Sequence, residues 1–491
     1  MHLPNFRLTP RRAWIALCAI LTPATVAAEL NFSPCSITGS GGNGSLQAEC
    51  ATFSRPLNPN IEGGGELELF VGRLPSTAQD PAQDALTIIN GGPGGSSVDL
   101  MVDLAPVLQA FTRERDVVVI DQRGTGRSAP LECEALTDST AVLNKRQTIA
   151  ATRDCLEKLP HDPRFFSTTV AVDDLEALRA AIGYSQLTVY GVSYGTRVAL
   201  QYLRAYPDST RALVIDGVVP PHLSLGGNVA LNSHDTLYRV FDRCQRSPAC
   251  AGRFPDLSAD FDRLSARLRE APQTFTLQHP VSGEPTTIDL TYGHLAIWIR
   301  LALYAPETTA LLPLIIDQAA NHSNYLPVAA SALRLLHQLT DSLNYGMHNA
   351  VVCTEDTPFY GADATTVAEL AATYLGEEMY QTLKAMCSIW PEGIRDPDLK
   401  KPVVSDVPVL VLSGEFDPIT PPSYGEAVLP GLSNAKHIIA PGQGHGTISR
   451  GCMPRVIRDF VESTSIDEVD DSCTDRLAPY PFFVDLMGPP P

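Results

Sequence analysis

Three residues of this 491-residue chain have the types and surroundings needed for attack on a carbonyl carbon. Ser193 stands in Tyr190-Gly191-Val192-Ser193-Tyr194-Gly195. Asp417 lies in Leu412-Ser413-Gly414-Glu415-Phe416-Asp417-Pro418, and His445 in Gly442-Gln443-Gly444-His445-Gly446. A serine hydroxyl is a weak nucleophile; a histidine that takes its proton, itself oriented by a carboxylate, activates it. Gly-x-Ser-x-Gly suits a sharp strand-to-helix turn that lifts the hydroxyl clear of a sheet, because side chains two residues to either side would collide with neighbouring elements. The pattern alone is weak: with Gly and Ser at roughly 7% each, about one chain in six of this length contains it by chance. Its flanks decide. Residues 187–190 have the form of a strand and 196–203 that of a helix, while Asp417 and His445 each follow a strand-like run, 407–412 and 436–440. Glu415 is the nearest substitute for Asp417, which also has the position of a helix cap before Thr420-Pro421-Pro422.

Attack on a carbonyl creates an oxyanion that needs preorganised N–H donors. The N–H of Tyr194 is one candidate. The second is the N–H of Gly92, in Asn90-Gly91-Gly92-Pro93-Gly94-Gly95-Ser96-Ser97, directly after a strand-like run. A phosphate-binding loop would require a lysine that is missing here, and the glycine spacing is wrong for a dinucleotide site.

These segments require a sheet to carry them. β-branched runs at 67–71, 85–90, 117–121, 187–190 and 212–216 alternate with helical patterns, the sequence form of a mostly parallel sheet covered by helices on both faces. The clearest helix spans 172–182, with Leu175, Leu178, Ala181 and Ile182 on one face. From about 220 to 400 the strand runs stop and the pattern turns helical, clearest at 264–268, 295–303, 311–319, 329–339 and 367–374. Strand runs then return. The expected organisation is a core of 29–219 and 401–491, with 220–400 inserted as a helical cap.

With those motifs placed, the chain resembles the proline iminopeptidase and tripeptidyl aminopeptidase group of the α/β-hydrolases. The glycine loop at 91–94, the segment Asp121-Gln122-Arg123-Gly124-Thr125-Gly126-Arg127-Ser128 and the order Ser193, Asp417, His445 carry the likeness, and the Cys452 to Cys473 segment resembles the exported tripeptidyl aminopeptidase branch. Asn90 stands where many members have His. The resemblance implies an α/β-hydrolase fold with an inserted helical cap, and an exopeptidase acting through an acyl-enzyme near the free N-terminus of peptide substrates, with no metal or organic cofactor. It also implies cap carboxylates that hold the substrate ammonium, for which Glu355 in Val352-Cys353-Thr354-Glu355-Asp356 is the best candidate. Asp121 and Arg123 fit scaffold roles. Two other functions remain open: an esterase with the same triad, and a binding protein on the same fold, whose signature would be an incomplete triad.

Bulk properties set the compartment. Arg7, Arg11 and Arg12 precede an apolar run at 13–21 that ends in Val26-Ala27-Ala28, the layout of an export signal over 1–28 rather than a membrane span, which needs about 20 apolar residues. Its removal takes three Arg and no acid, moving the formal charge from −19 to −22. Such a body repels nucleic acid and anionic membranes, so neither is an expected partner, and stable membrane association after signal removal is not expected. Without Cys18, ten cysteines remain: Cys35, Cys50, Cys133, Cys155, Cys244, Cys250, Cys353, Cys387, Cys452 and Cys473. An even count in an exported chain, periplasmic or secreted, suggests up to five disulfides, with nearest-neighbour pairing the simplest arrangement.

Overall fold

The computed structural model describes residues 1–2, 30–39, 44–61, 63–137, 142–361 and 367–489. The export signal expected over 1–28 falls almost wholly outside them. The β-branched runs form strands β3 (Glu66–Leu74), β4 (Ala85–Ile89), β5 (Asp116–Ile120), β6 (Leu187–Val192), β7 (Thr210–Asp216), β10 (Val409–Gly414) and β11 (Ala435–Ala440). Two further strands precede these, β1 (Ser33–Thr38) and β2 (Ser45–Pro56). The nine make one sheet in the order β1-β2-β3-β5-β4-β6-β7-β10-β11. From β5 to β11 neighbours run parallel; β1, β2 and β3 add on antiparallel.

Parallel neighbours need crossovers, and helices supply them: Ser97–Asp103 after β4, Thr168–Ile182 before β6 and Tyr194–Ala205 after β6. They cover both faces. In β10, Val409 and Val411 pack into one hydrophobic cluster with Leu175 and Val198, while Leu410 and Leu412 pack into another with Val98 and Phe460. This burial on both sides is why the central strands read as continuous apolar runs.

Between β7 and β10 lie helices that include Val229–Arg246, Leu257–Glu270, Tyr292–Ala302, Leu312–His322, Leu326–Ser342 and Tyr345–Glu355. All but the last share a separate cluster around Leu237, Leu264, Trp298, Leu312 and Leu333, joined by Phe416 from the loop after β10, while Tyr345–Glu355 packs through Met347, Ala350 and Val351 into the cluster of the sheet. One feature corrects the sequence expectation that strands stop here: β8 (Gln273–Gln278) and β9 (Pro285–Leu290) form an antiparallel hairpin. Only one face is buried, through Leu277, Ile288 and Leu290, so its threonines and glutamines gave no apolar run to see.

Five disulfides join Cys35–Cys50, Cys133–Cys155, Cys244–Cys250, Cys353–Cys387 and Cys452–Cys473, the nearest-neighbour pairing. They fit an oxidising compartment. No helix among the described residues is long and apolar enough to cross a membrane.

Candidate active site

The register of the sheet gathers the candidate residues. Val192 of β6 lies opposite Asp216 of β7, Leu412 of β10 opposite the same Asp216, and Gly414 opposite Ala440 of β11. The loops carrying Ser193, Asp417 and His445 therefore leave the same edge, at the carboxyl ends of parallel strands, where open α/β sheets place their sites.

Ser193 is the junction between β6 and the helix Tyr194–Ala205, with φ 56° and ψ −125°. Backbone in that region is strained for a residue with a side chain, and such strain clusters at functional sites. The flanking glycines are obligatory: a Cβ on Gly191 would strike the carbonyl of Gly195, and one on Gly195 the carbonyl of Ile89. Ser193 is anchored by its N–H, which donates to the carbonyl of Asp216 at 2.9 Å.

His445 donates from Nδ1 to Oδ2 of Asp417 at 2.8 Å. That leaves Nε2 as the acceptor nitrogen, the tautomer a general base needs. Asp417 is 1% exposed. Its Oδ1 accepts from the N–H of Ile419 at 2.9 Å and of Thr420 at 2.8 Å, and Oδ2 also accepts from the Thr420 hydroxyl at 2.7 Å. The carboxylate thus acts as a turn cap and as the partner of His445 at once; the two sequence options are one residue doing both. Burial disfavours the imidazolium of His445, but the charge and hydrogen bond of Asp417 outweigh it and hold the pKa above the usual 6.5.

Two supports escaped the sequence. Asp216, the last residue of β7, is fully buried and accepts from the N–H of Thr447 at 2.6 Å, the N–H of Ile448 at 3.0 Å and the Tyr190 hydroxyl at 3.0 Å. It clamps the loop just past His445. An acid at the end of a buried strand was its only signal. The second support is Tyr304, whose carbonyl accepts the N–H of His445 at 2.8 Å and whose ring meets the imidazole edge-on at 5.1 Å between centroids.

The loop after β4 passes over the serine: a Cβ on Gly91 would lie 3.2 Å from Ser193 Oγ. Gly92 has φ +114°, and a Cβ there would meet Leu343 Cδ2 at 2.8 Å, so glycine alone fits. Asp121 braces this loop from below, accepting from the Ser96 hydroxyl at 2.7 Å, the N–H of Val98 at 3.0 Å and the N–H of Arg127 at 3.0 Å; burial raises its pKa to about 6. Tyr194 opens its helix, where backbone N–H groups have no intrahelical acceptor. Gly92 and Tyr194 thus flank Ser193 as the two candidate donors. Arg123 is structural, bridging to Asp174 at 2.7 Å.

Glu355 requires a correction. It is 0% exposed, and its carboxylate is consumed by Thr168, whose N–H and hydroxyl both donate at 2.7 Å, with Arg197 at 3.5 Å. No face of it remains for a substrate ammonium. Its neighbour Asp356 is equally sealed, paired to Arg197 at 2.8 Å and Lys400 at 3.1 Å. An open acidic surface lies elsewhere: a cleft of about 390 Å³ lined by Asp99, Glu132, Glu134 and Asp341, with Leu343 and Asn344 at its junction with the glycine loop. No group of three or more potential metal ligands occurs among the described residues.

A serine at a strained strand-to-helix turn, on the sheet edge that also carries a histidine fixed by a buried aspartate, is the arrangement of a serine hydrolase of the α/β type. The family model of the alpha/beta hydrolase fold matches residues 84–449, and the chain belongs to that family. Its relatives include peptidases and an esterase. The serine protease Hip1 of Mycobacterium tuberculosis is 24% identical over 416 residues, 77% of this chain and 78% of that one. The tripeptidyl aminopeptidase of Streptomyces lividans is 30% identical over 195 residues, 35% of this chain and 36% of its own length. Carboxylesterase B of Mycobacterium tuberculosis is 26% identical over 419 residues, 77% of each chain. Among solved structures, the proline iminopeptidase of Mycobacterium smegmatis covers 84% of this chain and 97% of its own, at 14% identity and a TM-score of 0.37. The protein is a hydrolase, of the peptidase or esterase kind.

Proposed function

We propose that this hydrolase is an exported serine exopeptidase that cleaves near the free N-terminus of peptides through an acyl-enzyme. The observation that carries the chemistry is the 2.8 Å Asp417–His445 hydrogen bond, at the sheet edge that carries the strained Ser193. Ser193 Oγ attacks the peptide carbonyl while Nε2 of His445 takes its proton; Asp417 stabilises the resulting imidazolium. The N–H groups of Gly92 and Tyr194 receive the oxyanion. His445 then protonates the leaving amine, and water attacks the acyl-enzyme by the same route in reverse roles. Residues 220–400 act as the cap over this edge.

Action near a free N-terminus draws support from the relative named as a tripeptidyl aminopeptidase and from the acidic cleft beside the glycine loop, whose carboxylates suit an ammonium group. The disulfides and the signal-like 1–28 segment support export. An esterase is the second reading, favoured by the carboxylesterase relative.

A panel of aminoacyl and tripeptidyl arylamides, with free and acetylated N-termini, beside short acyl esters, tests the proposal. The expected outcome is turnover of the free arylamides and at least a roughly tenfold loss in kcat/KM on acetylation, since a charge-assisted contact is worth that much. Activity confined to the esters would overturn it.

A further inference from the structure

The helix Tyr292–Ala302 is apolar but for His294 and one cation, Arg300, one turn before Tyr304. Arg243 has no ion pair with a described carboxylate but stacks on Phe416 and Phe482, whereas other buried guanidinium groups meet carboxylates: Arg115 with Asp84, Arg123 with Asp174 and Arg197 with Asp356. Arg300 does not. It forms no ion pair with any described carboxylate; Nη2 donates to the Tyr304 hydroxyl at a long 3.3 Å, and Nε is buried with no hydrogen-bond partner. A guanidinium whose Nε is buried without a partner costs stability, and a carboxylate arriving at its planar fork would restore the lost interactions.

Its position says where that carboxylate would come from. Tyr304, to which Arg300 donates, holds the N–H of His445 through its carbonyl and lies edge-on against the imidazole. On the other side, the charge of Arg300 reaches Tyr345 and His348, and His348 Nδ1 lies 3.3 Å from the carbonyl of Pro93 in the glycine loop. The guanidinium is thus tied through Tyr304 to the loop of the catalytic base, and its charge acts on the helix whose His348 meets the glycine loop.

We infer that Arg300 is a specificity-determining residue, whose guanidinium binds a carboxylate of the substrate close to the scissile bond. This rests on the peptidase reading for the identity of the substrate. The carboxylate is either an Asp or Glu side chain flanking the cut or the free C-terminus of a short peptide. The same cation repels an ammonium group, so the substrate's N-terminus is seated away from it, as in the acidic cleft beside the glycine loop. A site that is anionic at one end and cationic at the other aligns a short peptide in one direction.

The test measures kcat/KM on matched peptides differing only in Glu against Gln beside the scissile bond, and on pairs differing only in a C-terminal acid against amide. The native enzyme should favour the acid member of at least one pair by about 10- to 100-fold; which pair responds identifies the source of the carboxylate. In Arg300→Gln the preference should collapse to near one, and Arg300→Lys should keep part of it. The acid limb of the pH profile should also move upward in Arg300→Gln, because removing a neighbouring cation eases protonation of His445. Peptides cleaved with no acid preference, or with a preference that survives Arg300→Gln, would overturn the inference while leaving the peptidase reading intact. If no peptide is cleaved, that reading fails, and aryl succinate half-esters compared with their succinamates decide Arg300 by the same ratio.

Discussion

Asp417 and Asp356 are both sealed carboxylates, at most 1% exposed, yet they sit in opposite electrostatic settings. Asp417 faces a histidine, a group whose charge can change during a reaction, and its other lone pairs are filled by backbone N–H groups and Thr420. Asp356 faces Arg197, which stays charged at any working pH, and Lys400 as a second, weaker cation. Burial favours the neutral acid, but Arg197 and Lys400 hold Asp356 below the usual range, while burial and the nearby Arg197 push Lys400 down to about 8. Glu355 beside it is raised by burial and tied to Thr168. One region keeps a proton-transfer partner available at the edge of the sheet. The other uses its charges to fix the helix Tyr345–Glu355 and the segment around Lys400 against the helix Tyr194–Ala205, which Ser193 opens. Depth of burial therefore does not separate chemistry from scaffold; the titratability of the partner does.

The largest effects should fall on the first region and leave the fold intact. Ser193→Ala should lower kcat by roughly 10^6-fold and abolish labelling by an organophosphonate, with an unchanged unfolding midpoint. Persistent labelling would mean another serine is the nucleophile. Asp417→Asn should cost about 10^3- to 10^4-fold in kcat/KM, because the N–H groups of Ile419 and Thr420 hold the amide oxygen and leave its NH2 facing Nδ1, which favours the wrong tautomer of His445. The second region should respond the other way round. Asp356→Asn should cost about 3–5 kcal/mol in denaturant unfolding, since it leaves Arg197 and Lys400 buried without their main counterion. Glu355→Gln should leave the ratio of free to acetylated substrates unchanged; a collapse of that ratio would return Glu355 to the binding site.

How far the chain disclosed this in advance follows the same division. Ser193, Asp417 and His445 were legible because each follows a strand-like run and is framed by residues with a steric purpose, and because sheet register alone brings the three loops together. The central strands were legible because both faces are buried; β1, β2 and the β8–β9 hairpin, with one face in water, were not. Glu355 was misjudged because a charge is visible in sequence but its satisfaction is not: Thr168 lies 187 residues away. Arg300 carried no signal at all, since what distinguishes it is the lack of a carboxylate that only the fold could have supplied. Asp216 passed as the polar end of a strand because the donors it accepts from, the N–H groups of Thr447 and Ile448, come from a loop 231 and 232 residues on.

The smallest effects should appear in the pH profile, and they sharpen the contrast most finely. In the proposed mechanism His445 acts as base only when neutral, so kcat/KM should fall as pH drops through its pKa. That pKa is held above 6.5, chiefly by Asp417 against the opposing effect of burial, with a smaller contribution from Asp216. The acid limb should therefore lie above pH 6.5 in the native enzyme. Removing either negative charge makes protonation harder, so the limb should move to lower pH in Asp417→Asn and, by less, in Asp216→Asn. Asp356→Asn, where it folds, should leave the limb where it was, because the charge it removes is balanced by Arg197 and Lys400 rather than by His445. Rate measurements between pH 5 and 9 on the three variants check the order. A shift in Asp356→Asn comparable to that in Asp417→Asn would show that the two carboxylate regions act on one histidine, and the separation between them would not hold.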